Sequence, residues 1–448
     1  MLLTLYGKPV TVLSSVLFIL ALWPFHAPDA APPPQSRAVS RFFTDSHADI
    51  SLRNQFKNLN TSDSGERSVQ TAWGQGIALD YRSGYLADIF GVDASYYRVL
   101  KLAASDDFWG RSILRNENGH AKGFHKFGQL FAKAKREGNN RYLKLYAGWQ
   151  IIHQWGAITH SSRAIPSTYQ GWRMDSGAGP FILRGAWVTR YSDRGSPDRI
   201  HFTSADRKTA IGHLATGELI YQQPGYSALY FFGESQQYLQ RHGIELGWQP
   251  EALAEHQTRV LAMFYYNHAL KNWQAMSADY RPFNRDAWHP SAYVEWRQHH
   301  WKHKVGASYT QAKSTGRLGY FERHMAKNSR GRFSSMADAW GNDYVGNNEK
   351  MVAWTTEYRV TPQVKLGLQS AFGWGVKYQH HAIRRGEAIF FSKWQPSGVK
   401  KLRFQLSGGP SWNYQSHYNR PDLNSDGTPK RALNHSVEFQ VDYAFNLF

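Results

Sequence analysis

The sequence predicts an all-β protein, a transmembrane antiparallel β-barrel of 16 or 18 strands with long extracellular loops. Three observations predict it. Apolar and polar residues alternate with period two along most of the chain. The chain is polar on average yet 15% aromatic, with 38 glycines. It also has no cysteine and opens on a short apolar segment.

The opening segment comes first. Lys8 precedes the apolar stretch Val10 to Trp23, and HAPDAAPPP follows, with small residues at Ala30 and Ala31. A basic start, a short apolar core and small residues near an exit match a secretory signal peptide, whereas a helical span needs roughly 20 apolar residues. The expectation is a signal peptide over 1–31 and a single barrel domain over 32–448. Secretion without cysteine suits a bacterial envelope protein that does not rely on disulfides.

Beyond it the strands follow in order. Ala48, Ile50, Leu52 and Phe56 alternate with Asp49, Ser51, Arg53 and Lys57. Leu143, Leu145, Ala147 and Trp149 alternate with Tyr142, Lys144 and Tyr146. Val352, Trp354 and Tyr358 alternate with Glu357 and Arg359, and Val437 to Phe445 alternate with Glu438, Gln440 and Asp442. Successive side chains of a strand point to opposite faces, so each segment has one apolar and one polar face. A soluble sandwich shows the same alternation with its apolar face inward. Trp and Tyr near strand ends, and long charged side chains on the polar faces, favour an apolar exterior with aromatic girdles and a wet lumen. Turns expected at Asn139-Asn140 and Val360-Thr361-Pro362 contrast with long polar stretches at Lys313 to Asn348 and Ser411 to Leu433. Short turns at one end and long loops at the other are the asymmetry of outer-membrane barrels. About 17 candidate strands of roughly 9–11 residues emerge, and bacterial barrels have even counts. The terminal Phe448 is the aromatic expected to engage the barrel-assembly machinery. It is out of phase with Val437 to Phe445, and a bulge near Asn446 would restore the phase.

Several short segments are more specific. LDYRSGY (Leu79 to Tyr85), FGVDASYY (Phe90 to Tyr97) and SSRAIPSTYQGWRMDSG (Ser161 to Gly177) resemble segments of the OprD-type family of substrate-specific porins. Within it, LGYFERHM (Leu318 to Met325) and GNNEK (Gly346 to Lys350) look most like the chitoporins, and the Asn-Leu-Phe ending is compatible. The resemblance implies an 18-stranded monomeric barrel in the outer membrane, narrowed by inward-folded loops, through which small solutes diffuse.

The chain carries 53 Lys+Arg against 34 Asp+Glu, a net charge of +19. No recognition helix or basic stripe accompanies it, so nucleic acid is not the expected partner. Arg53, Lys57, Arg82, Lys133, Lys135, Lys144, Arg359, Lys365, Lys401 and Arg403 fall on polar faces and are the candidate lumen cations. They outnumber the lumen-facing Asp49, Asp80, Asp93, Glu357, Glu438 and Asp442, which favours anionic or carboxylate solutes. Some basic residues would instead meet lipopolysaccharide phosphates outside, making outer-membrane lipid and lipopolysaccharide expected partners. The segment His153 to Asp175 breaks the alternation and is the candidate constriction loop, with Trp155, Arg163, Tyr169, Gln170, Trp172 and Asp175 as substrate contacts. Aromatic faces with Arg, Gln and Asp suit a saccharide track, which together with the resemblance points to chito-oligosaccharides. Basic amino acids, peptides and carboxylates are the alternative cargo. A barrel enzyme or an adhesin is the rival of a different class.

No cofactor, metal or catalytic residue is expected. HHWKHK (His299 to Lys304) and His380-His381 lack an acidic partner at ligand spacing. Asp422 to Gly427 opens like a calcium loop, but position twelve is Leu433, so an Asx-rich turn is expected. There is no G-x-S-x-G, Walker loop or G-x-G-x-x-G.

Overall fold

A computed structural model describes residues 41–63, 65–105, 110–250, 258–315, 317–334, 343–417 and 420–448. The expected signal peptide lies outside the described residues. The chain forms a closed antiparallel β-barrel of 18 strands, numbered β1–β18 in chain order. They are β1 His47–Thr61, β2 Ser68–Arg82, β3 Phe90–Ala104, β4 Phe124–Gly138, β5 Arg141–Gln150 and β6 Thr168–Ala178. Next come β7 Phe181–Ser192, β8 Leu214–Gln223, β9 Tyr226–Ser235, β10 Leu239–Trp248, β11 Thr258–Ala269 and β12 Asp286–Gln298. The last are β13 Trp301–Tyr309, β14 Lys350–Arg359, β15 Val364–Tyr378, β16 His381–Trp394, β17 Arg403–Tyr414 and β18 Arg431–Asn446. Each pairs with the next, and β1 pairs with β18 to leave no free edge.

The closing seam has opposite charges directly across it. Arg53 faces Asp442 and Lys57 faces Glu438 in register, and both pairs are ion pairs, the first at 2.5 Å. Directly opposed unlike charges favour that register by roughly 0.2–1 kcal/mol each. A one-residue slip would turn every side chain of β18 to the other face. Leu433 and Val437 point outward and are exposed, whereas the alternating Ala432, Asn434 and Ser436 are buried. No helix among the described residues is long and apolar enough to cross a membrane.

Turns at one end are short. Asn139-Asn140 joins β4 to β5 as expected, with Asn140 at φ 58, a left-handed conformation that asparagine tolerates. Val360 to Gln363 joins β14 to β15, also as expected. His299-His300 is likewise a two-residue turn between β12 and β13, with His299 at φ 54. The other end carries nine connections: L1 62–67, L2 105–123, L3 151–167, L4 193–213, L5 236–238, L6 270–285, L7 310–349, L8 379–380 and L9 415–430. L9 is shorter than the expected Ser411 to Leu433 stretch, because β17 and β18 extend into both ends of it. Within L9, Asp426 Oδ1 accepts bonds from the Thr428 N–H (2.9 Å) and hydroxyl (2.6 Å), an Asx-type turn.

The chain end holds a bulge one position later than expected. Ala48 O accepts from Leu447 N, while Ala48 N donates to Phe448 O, so two residues oppose one. Both Leu447 and Phe448 are exposed.

The inner wall is not polar along its whole height. Toward the long-loop end, the inner face of β6–β15 turns apolar, with Ala186, Val188, Phe231, Met263, Tyr265 and Ala353 buried. These pack on loop residues Ile152, Ile158, Phe202, Trp273, Phe283, Phe321 and Met325, all buried, in one apolar cluster. A second cluster joins Ile113 and Leu114 of L2 to Ala164 and Ile165 of L3. Burying each large side chain contributes roughly 1.5–3 kcal/mol, enough to hold irregular loops inside the barrel.

Candidate functional site

L3 crosses the lumen and is fixed at both sides. On one side Arg53 Nη1 of β1 donates to Ser162 Oγ (2.8 Å) and to Arg163 O (3.0 Å). Gly76 of β2 permits this approach, since a Cβ there would lie 2.1 Å from Ala164 O. On the other side the Gly156 N–H donates to Glu218 Oε2 (2.9 Å) and the Ala157 N–H to Thr216 Oγ1 (2.7 Å), both on β8. Gly156 sits at φ +54 with Thr216 Oγ1 2.0 Å from where a Cβ would stand, so a side chain fits neither the conformation nor the space.

L7 straps L3 from above. Thr159 N donates to Arg330 O (3.0 Å) and Arg332 N to Ala157 O (2.8 Å), with a β-bridge between Ile158 and Gly331. The Tyr169 hydroxyl donates to Thr159 O (2.9 Å) and accepts from Arg330 N (2.9 Å), clamping both loops. Arg332 closes the strap on the wall: Nη1 lies 2.9 Å from Glu218 and Nη2 2.8 Å from Glu245 of β10. L7 is itself seated by residues of its two specific segments. The Glu322 and Arg323 carbonyls accept from the buried Arg241, and Glu349 pairs with Arg385 at the return to β14.

The expected constriction loop is shorter than its candidates. L3 ends at Ser167, and Tyr169, Gln170, Trp172 and Asp175 belong to β6. Tyr169 to Asp175 alternate across the wall without a break, and the extra residue at this level is Thr189 of β7, between the pairs Gln170–Arg190 and Gly171–Val188. Tyr169 is fully buried as the clamp just described. Gln170 stands opposite Trp149, whose face of the wall carries the exposed Leu130. Trp172 stands opposite Ala147 on the same outer face as the exposed Leu145, and contacts no solute path. Asp175 does face the lumen, accepting from Tyr142 (3.1 Å) and Arg184 (3.4 Å). Of the six candidates only Trp155 and Arg163 lie in L3. Trp155 is buried, its ring held between Arg173 (4.6 Å) and Arg184 (4.8 Å).

Most of the candidate lumen cations are ion-paired rather than a free basic row. Arg53 pairs with Asp442, Lys133 with Asp93 (2.6 Å), and Lys365 with Glu357 (3.3 Å). Lys144 reaches Glu137 at 3.2 Å, and Arg82 and Arg403 stand 3.9 Å from Asp49 and Asp442. Arg359 is exposed at the short-turn end of β14. Lys401 lies in the turn after β16 rather than on a strand, bonded to Asn446 (2.6 Å). The acids counted as a minority thus neutralise much of the wall. Alternation gives the face of a residue, but not its neighbour across the barrel seam.

Several guanidinium groups gather where loops meet. Arg163 of L3 is surrounded by Arg194 of L4, Arg111 of L2 and Arg330 of L7. Burial, then those three guanidinium groups in that order, push the Arg163 pKa down, while Asp193 raises it. Burial would raise the Asp193 carboxyl, but Arg330, the Gly195 N–H and Arg194 outweigh it and hold it low. Asp193 lies 3.4 Å from Arg330, and Arg194 donates to Ser162 O (3.4 Å). Arg111, Arg194, Arg330 and Arg332 were not singled out in the sequence, since irregular loops carry no period that marks their partners. Beneath L3 opens a vestibule of about 660 Å³ lined by Arg53, Asp80, Arg82, His160, Arg403 and Asp442 among others. Burial, and next the neighbouring His153, lower the His160 pKa to about 4 despite its bond to Ile152. Among the described residues no three His, Asp or Glu are arranged to hold a metal ion.

A closed barrel with an inward-folded, strapped loop and a basic junction fits a selective pore, and comparison with known proteins decides the family. The model of the OprD family, outer membrane porins, matches residues 40–380. This chain belongs to the OprD family. The OprD-type barrel therefore sits in the bacterial outer membrane, connections L1–L9, the long ones among them, extracellular and the opposite turns periplasmic. Solved structures of similar fold include OccAB2 of Acinetobacter baumannii, 16% identical, with a TM-score of 0.73 over 91% of this chain and 100% of that one. OccK8 (OprE) of Pseudomonas aeruginosa is 16% identical, with a TM-score of 0.71 over 91% and 100%. OpdK of the same organism, solved with vanillate, is 14% identical, with a TM-score of 0.70 over 90% and 100%. No curated protein sequence matches this chain. Family and fold point to a channel rather than an enzyme.

Proposed function

We propose that this OprD-type porin passes small anionic solutes, carboxylates above all, by diffusion through the junction of L2, L3, L4 and L7. The observation that carries the reading is Arg163, held among Arg194, Arg111 and Arg330 with Asp193 as their acidic neighbour. A guanidinium kept among others in a partly dry site is stabilised by an anion that reaches it, and its fork matches a carboxylate in two hydrogen bonds. Such contacts replace part of a solute's hydration, while the paired charges of the vestibule let it leave. The relative solved with vanillate, an aromatic carboxylate, is consistent with this cargo.

The chito-oligosaccharide reading rested on an aromatic track, and it loses its support when Tyr169 and Trp155 are buried and Trp172 faces outward. Basic amino acids would need a free acid at the junction, where Asp193 is already engaged by Arg330. The test is planar-bilayer recording of the refolded protein under a salt gradient. The reversal potential should have the sign of anion preference, and vanillate or benzoate should block current where chitohexaose and arginine do not. Cation preference, or blockade by chitohexaose alone, would reject the carboxylate reading. An absence of ion current would reject the channel itself.

A further inference from the structure

On the outer wall, at the extracellular end of β15–β18, lies a groove of about 660 Å³. Its floor is apolar: Phe372, Trp412 and Leu433 are 38%, 37% and 47% exposed. Arg384 and Arg431 border it, both exposed. Alternation puts all five on the outside, because their strand neighbours Ala371, Ile383, Ser411 and Ala432 are buried on the inner side. Gly386 leaves the space that lets the Trp412 ring lie against the wall, for a Cβ there would fall 2.1 Å from it. Among the described residues neither Arg384 nor Arg431 has an acidic partner. The pore does not use this face.

Two unneutralised guanidinium groups above exposed aromatic rings mark the level where lipid headgroups meet acyl chains. We propose that this groove binds a phosphorylated glycolipid of the outer leaflet, the lipid A portion of lipopolysaccharide. Arg384 and Arg431 pair with a headgroup phosphate, and an acyl chain lies over Phe372, Trp412 and Leu433. The guanidinium fork suits phosphate in the same two-bond geometry as carboxylate, and a phosphate cannot be met by the apolar floor. The groove lies at the long-loop end, in the leaflet whose anionic lipid is a glycolipid, which argues against a glycerophospholipid occupant.

Native mass spectrometry of the full-length protein in detergent micelles tests this, with diphosphoryl lipid A, dephosphorylated lipid A and phosphatidylglycerol as separate titrants. Diphosphoryl lipid A should bind well above both others. The double variant Arg384→Ser/Arg431→Ser should weaken it about thirtyfold, from roughly 1 kcal/mol per arginine at an anionic surface. The Arg384→Lys/Arg431→Lys protein should keep most of the affinity. Heat-modifiable gel mobility checks that each variant is folded, and conductance should be unchanged because neither residue faces the lumen. Either single serine variant, expected to bind about fivefold more weakly, tests the same groove if the double variant does not fold. Undiminished binding by a folded serine variant, or phosphatidylglycerol binding as tightly as lipid A, would overturn the assignment.

Discussion

Arg332 of L7 lies 2.9 Å from Glu218 of β8, and the carboxylate oxygen that receives it also accepts the Gly156 N–H of L3. One buried acid therefore holds a wall strand, the inward-folded L3 and its strap together. Removing one partner of a buried ion pair costs about 3–5 kcal/mol, because the other charge stays behind. Glu245 still faces Arg332, so the lower end applies. Glu218→Ala should leave the barrel folded but release L3 and L7, giving larger and noisier single-channel current. Trypsin should then cut sooner after Arg330 or Arg332. Conductance and digestion identical to the parent protein would show that the strap does not depend on this acid.

Arg163→Ala should weaken blockade by vanillate or benzoate about tenfold, equivalent to roughly 1.4 kcal/mol for one charge-assisted contact. It should also move the reversal potential toward zero. Trp172→Ala should change neither quantity, since Trp172 faces outward beside Leu145. Equal effects at the two positions would reject the location of the solute path.

Gly156→Val should act like loss of the Glu218 anchor. Its Cβ would fall 2.0 Å from Thr216 Oγ1 at φ +54, a conformation costing a branched residue about 1–3 kcal/mol even in open space. The readout is again open-channel noise, and a quiet, parent-like channel would contradict the role given to this turn.

His160 supplies a pH dependence. Its pKa is lowered to about 4, by burial first and by His153 next, so it is neutral in the folded channel at pH 7. Between its ordinary value near 6.5 and about 4 the unfolded chain binds the proton more readily. Its contribution to stability is thus full above pH 6.5 and falls as pH drops toward 4. Vestibule selectivity should stay flat from pH 7 to 5 and turn more anion-selective only below about 4, when the imidazolium forms. His160→Gln should remove that low-pH change. A step near pH 6.5 instead would mean that His160 is solvated.

The strands were legible because a half-buried wall enforces period two. Val437 to Phe445, with Glu438 and Asp442 inward, could be oriented from the chain alone. Asn139-Asn140 could be placed as a turn because its residue types tolerate the backbone required. Alternation failed where no turn marks a boundary: irregular L3 runs straight into β6 at Thr168, so Tyr169 and Trp172 read as loop. It also could not show that Arg53 and Lys57 are neutralised by Asp442 and Glu438, because those neighbours meet only when the first and last strands close the barrel. Arg330 and Arg332 were invisible for a related reason: their acidic partners Asp193, Glu218 and Glu245 lie on a distant loop and distant strands.

The strap over L3 also bears on assembly. Tyr169 and the Arg330 carbonyl it grips are 161 positions apart. A chain inserting its strands in order would form L3 long before the segment that pins it. The narrow passage is then a property of the finished barrel alone. A closed barrel whose L7 had not yet seated would have its wall but not its strap, and it would leak. Seating L7 by the Glu349–Arg385 pair is then what brings the strap onto L3.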